Sequence, residues 1–189
     1  MNRANPLCAL SLVALASTLA HADAPGFTLT SPDFRADSPI SEIHVFNGDG
    51  CTGQDRSPAL SWQGAPAGTK SYVITMFDLD ERGSPSGWWH WVLYNIPATT
   101  TQLPQNAAAE KGGKLPAAAT RGKTDYGTSA YDGPCPGKGE APHRYLITVY
   151  ALRVDKLPLP AQSSGAMVTI TARDFTLAKA TVTARYGRK

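Results

Sequence analysis

Apolar residues in this chain recur with a period of two in short stretches bounded by Gly and Pro, the pattern of half-buried and buried β-strands. Ser71–Asp78 (SYVITMFD) places Tyr72, Ile74, Met76 and Asp78 on one face and Val73, Thr75 and Phe77 on the other. Residues 88–95 (WWHWVLYN) are aromatic and β-branched and stop at Ile96-Pro97, and His143–Leu152 (HRYLITVYAL) forms a third long strand. Shorter candidates lie at 27–29, 59–62 and 181–186. Both faces of the three long strands carry apolar residues, as expected of central strands in a two-sheet stack. Residues 105–128 are rich in Ala, Gly and Lys without a period and read as a long loop. The segment 165–180 pulls both ways. Leu177-Ala-Lys-Ala180 favours helix and Val168-Thr-Ile-Thr171 alternates like a strand, while Ser163 or Ser164 offers a helix cap that tips the expectation toward helix.

Composition narrows the class. The 189 residues include 17 Gly and 15 Pro, are 42% hydrophobic and only 17% charged, and carry a formal charge of +3. That argues against disorder and against a helical bundle, and it is too little charge to imply nucleic-acid binding. Residues 7–20 (LCALSLVALASTLA) form a charge-free run after Arg3, leading to the small-x-small site Ala20-His21-Ala22. The run is short for a membrane span, so residues 1–22 are expected to be a cleaved secretory signal and residues 23–189 a single domain, periplasmic or secreted, with no transmembrane segment. Processing would leave a charge of about +2. It would also remove Cys8, leaving Cys51 and Cys135, an even pair that suggests a disulfide in an exported chain. A thiolate nucleophile or a metal ligand are the alternatives for these two cysteines.

Three polar side chains interrupt or end the apolar strands. Asp78 is followed by Asp80, so that both carboxylates can point the same way. His90 lies among tryptophans, sharing a face with Trp88, Val92 and Tyr94, and His143 shares a face with Tyr145. Such groups need partners, since an unpaired buried one costs a few kcal/mol. Together they suggest a small pocket for an anion or polar head group at one end of a sandwich. Each taken singly is also explained as a satisfied structural residue. No HxxxH or HxH spacing supports a metal, and no GxSxG, Walker or dinucleotide motif is present. The cations Lys111, Lys114, Arg121 and Lys123 read as a solvated loop surface.

Four motifs in order, with a matching terminus, then carry a resemblance. Residues 57–62 (SPALSW), Asp78-Leu-Asp80, residues 88–95 (WWHWVLYN), Gly133-Pro-Cys-Pro with Pro142-His-Arg-Tyr145, and Tyr186-Gly-Arg188 are similar to the corresponding motifs of the phosphatidylethanolamine-binding proteins. These are also called Raf-kinase-inhibitor-like proteins, and the likeness is greatest to their bacterial exported branch. The resemblance implies a mainly β fold, a two-sheet antiparallel Greek-key β-sandwich with a C-terminal helical segment. It implies a pocket for phosphate, phosphorylethanolamine or a similar phospholipid head group, formed by Asp78, Asp80, Trp88, His90, Gly133, Pro134, His143, Arg144 and Tyr145. The Gly133 N–H, an imidazole N–H and the Tyr145 hydroxyl are expected to donate to the ligand, with Asp78 orienting His90 or receiving an ammonium. Leu79 stands where the family has a proline, and Glu81-Arg82 replace Ala-Pro, which loosens this loop and adds charge at the rim. The expectation is a non-enzymatic binding protein without cofactor or metal. A protein-interaction inhibitor that docks a partner at the rim is the alternative, and a hydrolase using His90 or His143 as base is a third reading.

Overall fold

The computed structural model of the chain describes residues 26–84 and 87–189. The leader expected over 1–22, with Cys8, lies outside the described residues. Among the described residues, eight strands form two antiparallel sheets. The smaller joins β1 (Thr28–Thr30), β2 (Leu60–Gln63) and β5 (Gln102–Leu103), in the order β1-β2-β5. The larger runs β6-β4-β3-β7-β8, built from β3 (Ser71–Asp78), β4 (Trp88–Pro97), β6 (Thr120–Arg121), β7 (His143–Leu152) and β8 (Thr176–Tyr186). This is the mainly β, two-sheet sandwich expected from the strand patterns.

The period-two alternation decides what lies between the layers. Tyr72, Ile74 and Met76 of β3 meet Ile147, Val149 and Ala151 of β7 and Leu29, Leu60, Trp62 and Leu103 of the small sheet in one buried cluster. The opposite face of the large sheet, with Val73, Val92, Tyr94 and Leu152, is covered by Val168 and Ala172 of a single helix, α1 (Gly165–Arg173). Gly165 is needed at that junction, because a Cβ there would stand 2.3 Å from the Trp89 ring.

The segment 165–180 resolves in the opposite sense to its local signals. Val168–Thr171 is helical, capped by Ser164, whose hydroxyl accepts the Met167 N–H. Leu177–Ala180, with helix-favouring composition, lies in β8, which pairs along the whole of β7. There Ala178, Ala180 and Ala184 suit the buried face because they are small, and a ten-residue ladder outweighs propensity. The long loop 105–128 is interrupted by β6, whose two residues pair with Leu93 and Tyr94.

Strand β4 departs from simple alternation at two bulges. One step on β3, from Met76 to Phe77, matches two on β4, from Trp91 to Trp89, and His90 is the extra residue. A second irregularity falls at Asn95, held at φ 57° with its side-chain oxygen accepting the Leu157 N–H. The expected face of His90 is corrected accordingly. His90 stays with Trp88, but Val92 and Tyr94 belong to the helix-covered side.

Cys51 and Cys135 form a disulfide across 84 residues of sequence, joining two glycine-rich turns. Closing a loop of that length restricts the unfolded chain and stabilises the fold by about 2–5 kcal/mol. Replacing both cysteines with serine is therefore expected to lower the urea-unfolding free energy by that amount. Reductant should destabilise the wild type and leave the double variant unchanged.

Candidate functional site

The central strand β3 ends at Asp78, whose neighbours in register are Trp88 on β4 and Tyr145 on β7. Three consecutive strands of the sheet thus end together. The bulge adds His90 to the same side, and loops rise around them to leave a half-open cavity of about 170 Å3. Asp78, Trp88, His90 and Tyr145 form its floor and walls, and Tyr126, Asp49, Glu81, Cys135 and Pro136 complete the lining. Four rings meet at steep angles. Tyr145 is edge-on to His90 at 5.2 Å, and Tyr126 packs against Trp88 at 5.4 Å and His90 at 5.6 Å.

Asp78 is 2% exposed, so its charge depends on donors. Its Oδ2 accepts from His143 Nδ1 at 2.8 Å and its Oδ1 from the Asp80 backbone N–H at 2.8 Å. The other ring nitrogen of His143, Nε2, lies 3.2 Å from Glu140 Oε2. Asp78 therefore orients His143, not His90 as the motif reading had it. His90 is positioned instead by Nδ1–H donation to the Asp132 carbonyl at 2.8 Å, which sets the tautomer with the lone pair on Nε2. Burial lowers the pKa of His90, against the opposing pull of that carbonyl and of the Asp78 charge.

Asp80 and Arg144 do not join the cavity. Asp80 turns outward and takes Arg144 in a bidentate pair at 2.7 and 2.9 Å, which brings its pKa down to about 2. The two carboxylates thus face different ways, contrary to the shared direction expected from their spacing. Asp80 and Arg144 line an outer groove with Arg82, Glu140 and His143.

Gly133 and Pro134 support the wall. A Cβ at Gly133 would lie 2.1 Å from the His44 carbonyl oxygen, so only glycine fits there. Its N–H donates to Asp55 Oδ1 at 2.6 Å and is not offered to a ligand, which corrects the expected anion donor. The Pro134 carbonyl accepts from Phe46 N–H.

Two donors in the cavity wall are left over. The Tyr145 hydroxyl and the Trp88 indole N–H are buried and find no hydrogen-bond partner among the described residues. Burial, followed by the Asp78 charge, drives the Tyr145 pKa far upward, and the carboxylate lies near the hydroxyl without hydrogen-bond geometry. The charge of the lining is negative, from Asp49, Asp78 and Glu81, with no Lys or Arg among the described residues that line it. Glu81 and Cys135 were legible as rim and wall residues, but Asp49 and Tyr126 were not. Tyr126 sits in the aperiodic loop, and its only local signal was an aromatic residue in an otherwise small and polar stretch.

With this geometry in place, the chain can be set beside known proteins. The family profile of phosphatidylethanolamine-binding protein matches residues 30–187, and the chain belongs to that family. It is 42% identical to the UPF0098 protein YbcL of Escherichia coli over 165 residues, covering 87% of this chain and 90% of that protein. It is also 42% identical to E. coli YbhB, covering 84% of this chain and 98% of that one. The crystal structure of E. coli YbcL, described as a new member of the mammalian family, superposes with a TM-score of 0.84 over 87% of this chain and 99% of its own. A family homologue from Chlamydia trachomatis gives 0.72 at 27% identity, over 88% of this chain and all of its own.

Asp55 provides a test of the wall. Burial raises its pKa from 3.8 to about 6, with the Gly133 N–H opposing and Asp132 adding to the rise. A carboxyl that holds its proton more tightly when folded stabilises most below pH 4, and that contribution is lost as pH rises through 6. Asp55→Asn keeps an acceptor for Gly133 without the charge. Its stability relative to wild type, measured by denaturant titration, is expected to increase between pH 4 and pH 7.

Proposed function

We propose that this protein is a binding protein whose cavity receives a compact, oxygen-bearing head group, phosphorylethanolamine being the representative. The observation that carries this reading is the pair of buried donors, Tyr145 Oη–H and Trp88 Nε1–H, in the wall of a small cavity without acceptors of their own. Each unmade hydrogen bond costs about 1–3 kcal/mol, which a ligand oxygen recovers. A volume of about 170 Å3 suits a head group and not the acyl chains attached to it. The acidic lining disfavours a bare anion and favours a group that brings a cation or meets one in the cavity. Family membership supports the same class of ligand.

Binding without turnover is the role proposed. Of the two histidines a hydrolase would use as base, His143 is held at Nδ1 by Asp78 with Glu140 3.2 Å from Nε2. His90, whose Nε2 is open to the cavity, is made a weaker base by burial. An exported location, after removal of residues 1–22, is proposed with it and is supported by the disulfide. Among the described residues no helix is long and apolar enough to cross a membrane. Leu79, 42% exposed beside the pocket aspartate, suits the rim of a protein-docking inhibitor instead, the reading favoured if no head group binds.

Tyr145→Phe separates ligand binding from structure. Isothermal titration with phosphorylethanolamine is expected to show saturable binding by the wild type and about tenfold weaker binding by the variant, the worth of one bond to a charged acceptor. Its stability should be unchanged or higher, because the hydroxyl removed has no partner among the described residues. Equal affinities for the two proteins would contradict the reading.

A further inference from the structure

The outer wall of the cavity gathers carboxylates around a single imidazole, with Arg82 and Arg185 in the groove beyond it. Asp78, Glu81 and His143 each present one ligand-capable atom, and these atoms all lie within 4.8 Å of one another. Glu140 approaches His143 from the other side. Even as an imidazolium, His143 would face three carboxylates. Arg144, the cation next to them in the chain, is committed to Asp80.

We propose that Asp78, Glu81 and His143 form a binding site for a divalent transition-metal ion of the zinc type. Three features of the geometry support it beyond proximity. The first is the outer carboxylate. Glu140 Oε2 lies 3.2 Å from Nε2, an ion-pair contact that favours a hydrogen on Nε2 and so leaves the other nitrogen, Nδ1, to coordinate. The second is that Nδ1 and Asp78 Oδ2 already face each other at 2.8 Å, so that parting by about half an ångström brings them to the spacing of adjacent ligands in a tetrahedral shell. An ion takes the place of the proton they share, and Asp78 Oδ1 stays held by the Asp80 N–H. The third is the Tyr145 hydroxyl. It is fully buried, unpartnered and close to Asp78 in the same cavity wall, and it can donate to a water or anion bound to the ion.

Glu81 completes the set. It is half-buried, one of its oxygens is held by the Gly83 N–H at 2.6 Å, and it lines the cavity with Asp78. Histidine spacing along the chain gave no hint of this, because the ligands come from the end of β3, the following loop and the start of β7. The inference also explains how an acidic cavity can receive a phosphoryl group. With three protein ligands the ion keeps open positions, and a cation among the carboxylates reverses the local field.

The test is calorimetric titration of Zn2+ into the tag-free mature chain, run in two buffers of different ionisation enthalpy. One equivalent is expected to bind, and the buffer comparison reads whether the Nδ1 hydrogen moves to Nε2 or leaves the ring. Glu81→Gln is expected to weaken binding at least tenfold with an unchanged thermal midpoint, and Glu140→Gln to weaken it about 10–100-fold through the outer shell. Glu81 serves as the principal variant because replacing buried His143 risks the fold. No zinc binding at 100-fold excess, or equal affinity in wild type and Glu81→Gln, would overturn the proposal. Phosphorylethanolamine is then titrated with chelator and with Zn2+ present. Zinc binding without head-group binding upholds the metal site and defeats the head-group reading. Head-group binding in chelator with no zinc binding does the reverse.

Discussion

A carboxylate at the end of a buried central strand has to be compensated, and Asp78 sets the terms for everything around it. At 2% exposure it takes an N–H from Asp80 and one from His143, and these two bonds tie the loop after β3 to the first residue of β7. Removing either partner would leave a buried charge uncompensated, which costs several kcal/mol. The same turn that brings the Asp80 N–H back to Asp78 sends the Asp80 side chain outward to Arg144, so the stretch from Asp78 to Asp80 builds both the cavity wall and its outer face.

The walls above Asp78 depend on local irregularity and on long-range ties. The extra residue in β4 swings His90 to the cavity side, and its ring is then held by a carbonyl 42 residues away. The disulfide brings Asp49 and Pro136 to the mouth by joining their turns. Asp55 reaches 78 residues forward to hold the Gly133 N–H, which is why this wall presents side chains to the cavity and not backbone donors. The arrangement keeps two donors without acceptors, a local cost that the surrounding double-sided core offsets.

Much of this was legible in the chain. Alternation in SYVITMFD and HRYLITVYAL marked both faces of β3 and β7 correctly, because burial on a pleated strand is a period-two property. Asp78, Trp88, His90 and Tyr145 stood out as polar or amphipathic residues at strand ends, and the fold brings these four together. What local pattern could not show was register and distance. A bulge is one residue of slip, invisible to alternation, and it moved Val92 and Tyr94 away from His90. Composition misplaced helix and strand between 165 and 180, since β8 draws its conformation from pairing with β7. Asp49 and Tyr126 come from aperiodic loops, and only tertiary contacts make them part of a site.

The account rests on one claim, that the cavity at the end of β3, β4 and β7 is where ligand is held. A crystal structure of the protein soaked with phosphorylethanolamine tests it most directly. Phosphoryl oxygens within hydrogen-bond distance of Tyr145 Oη and Trp88 Nε1, beside the His90 ring, are the predicted result. Density for the ligand in the outer groove of Arg82 and Arg144, with the cavity filled only by water, would contradict it.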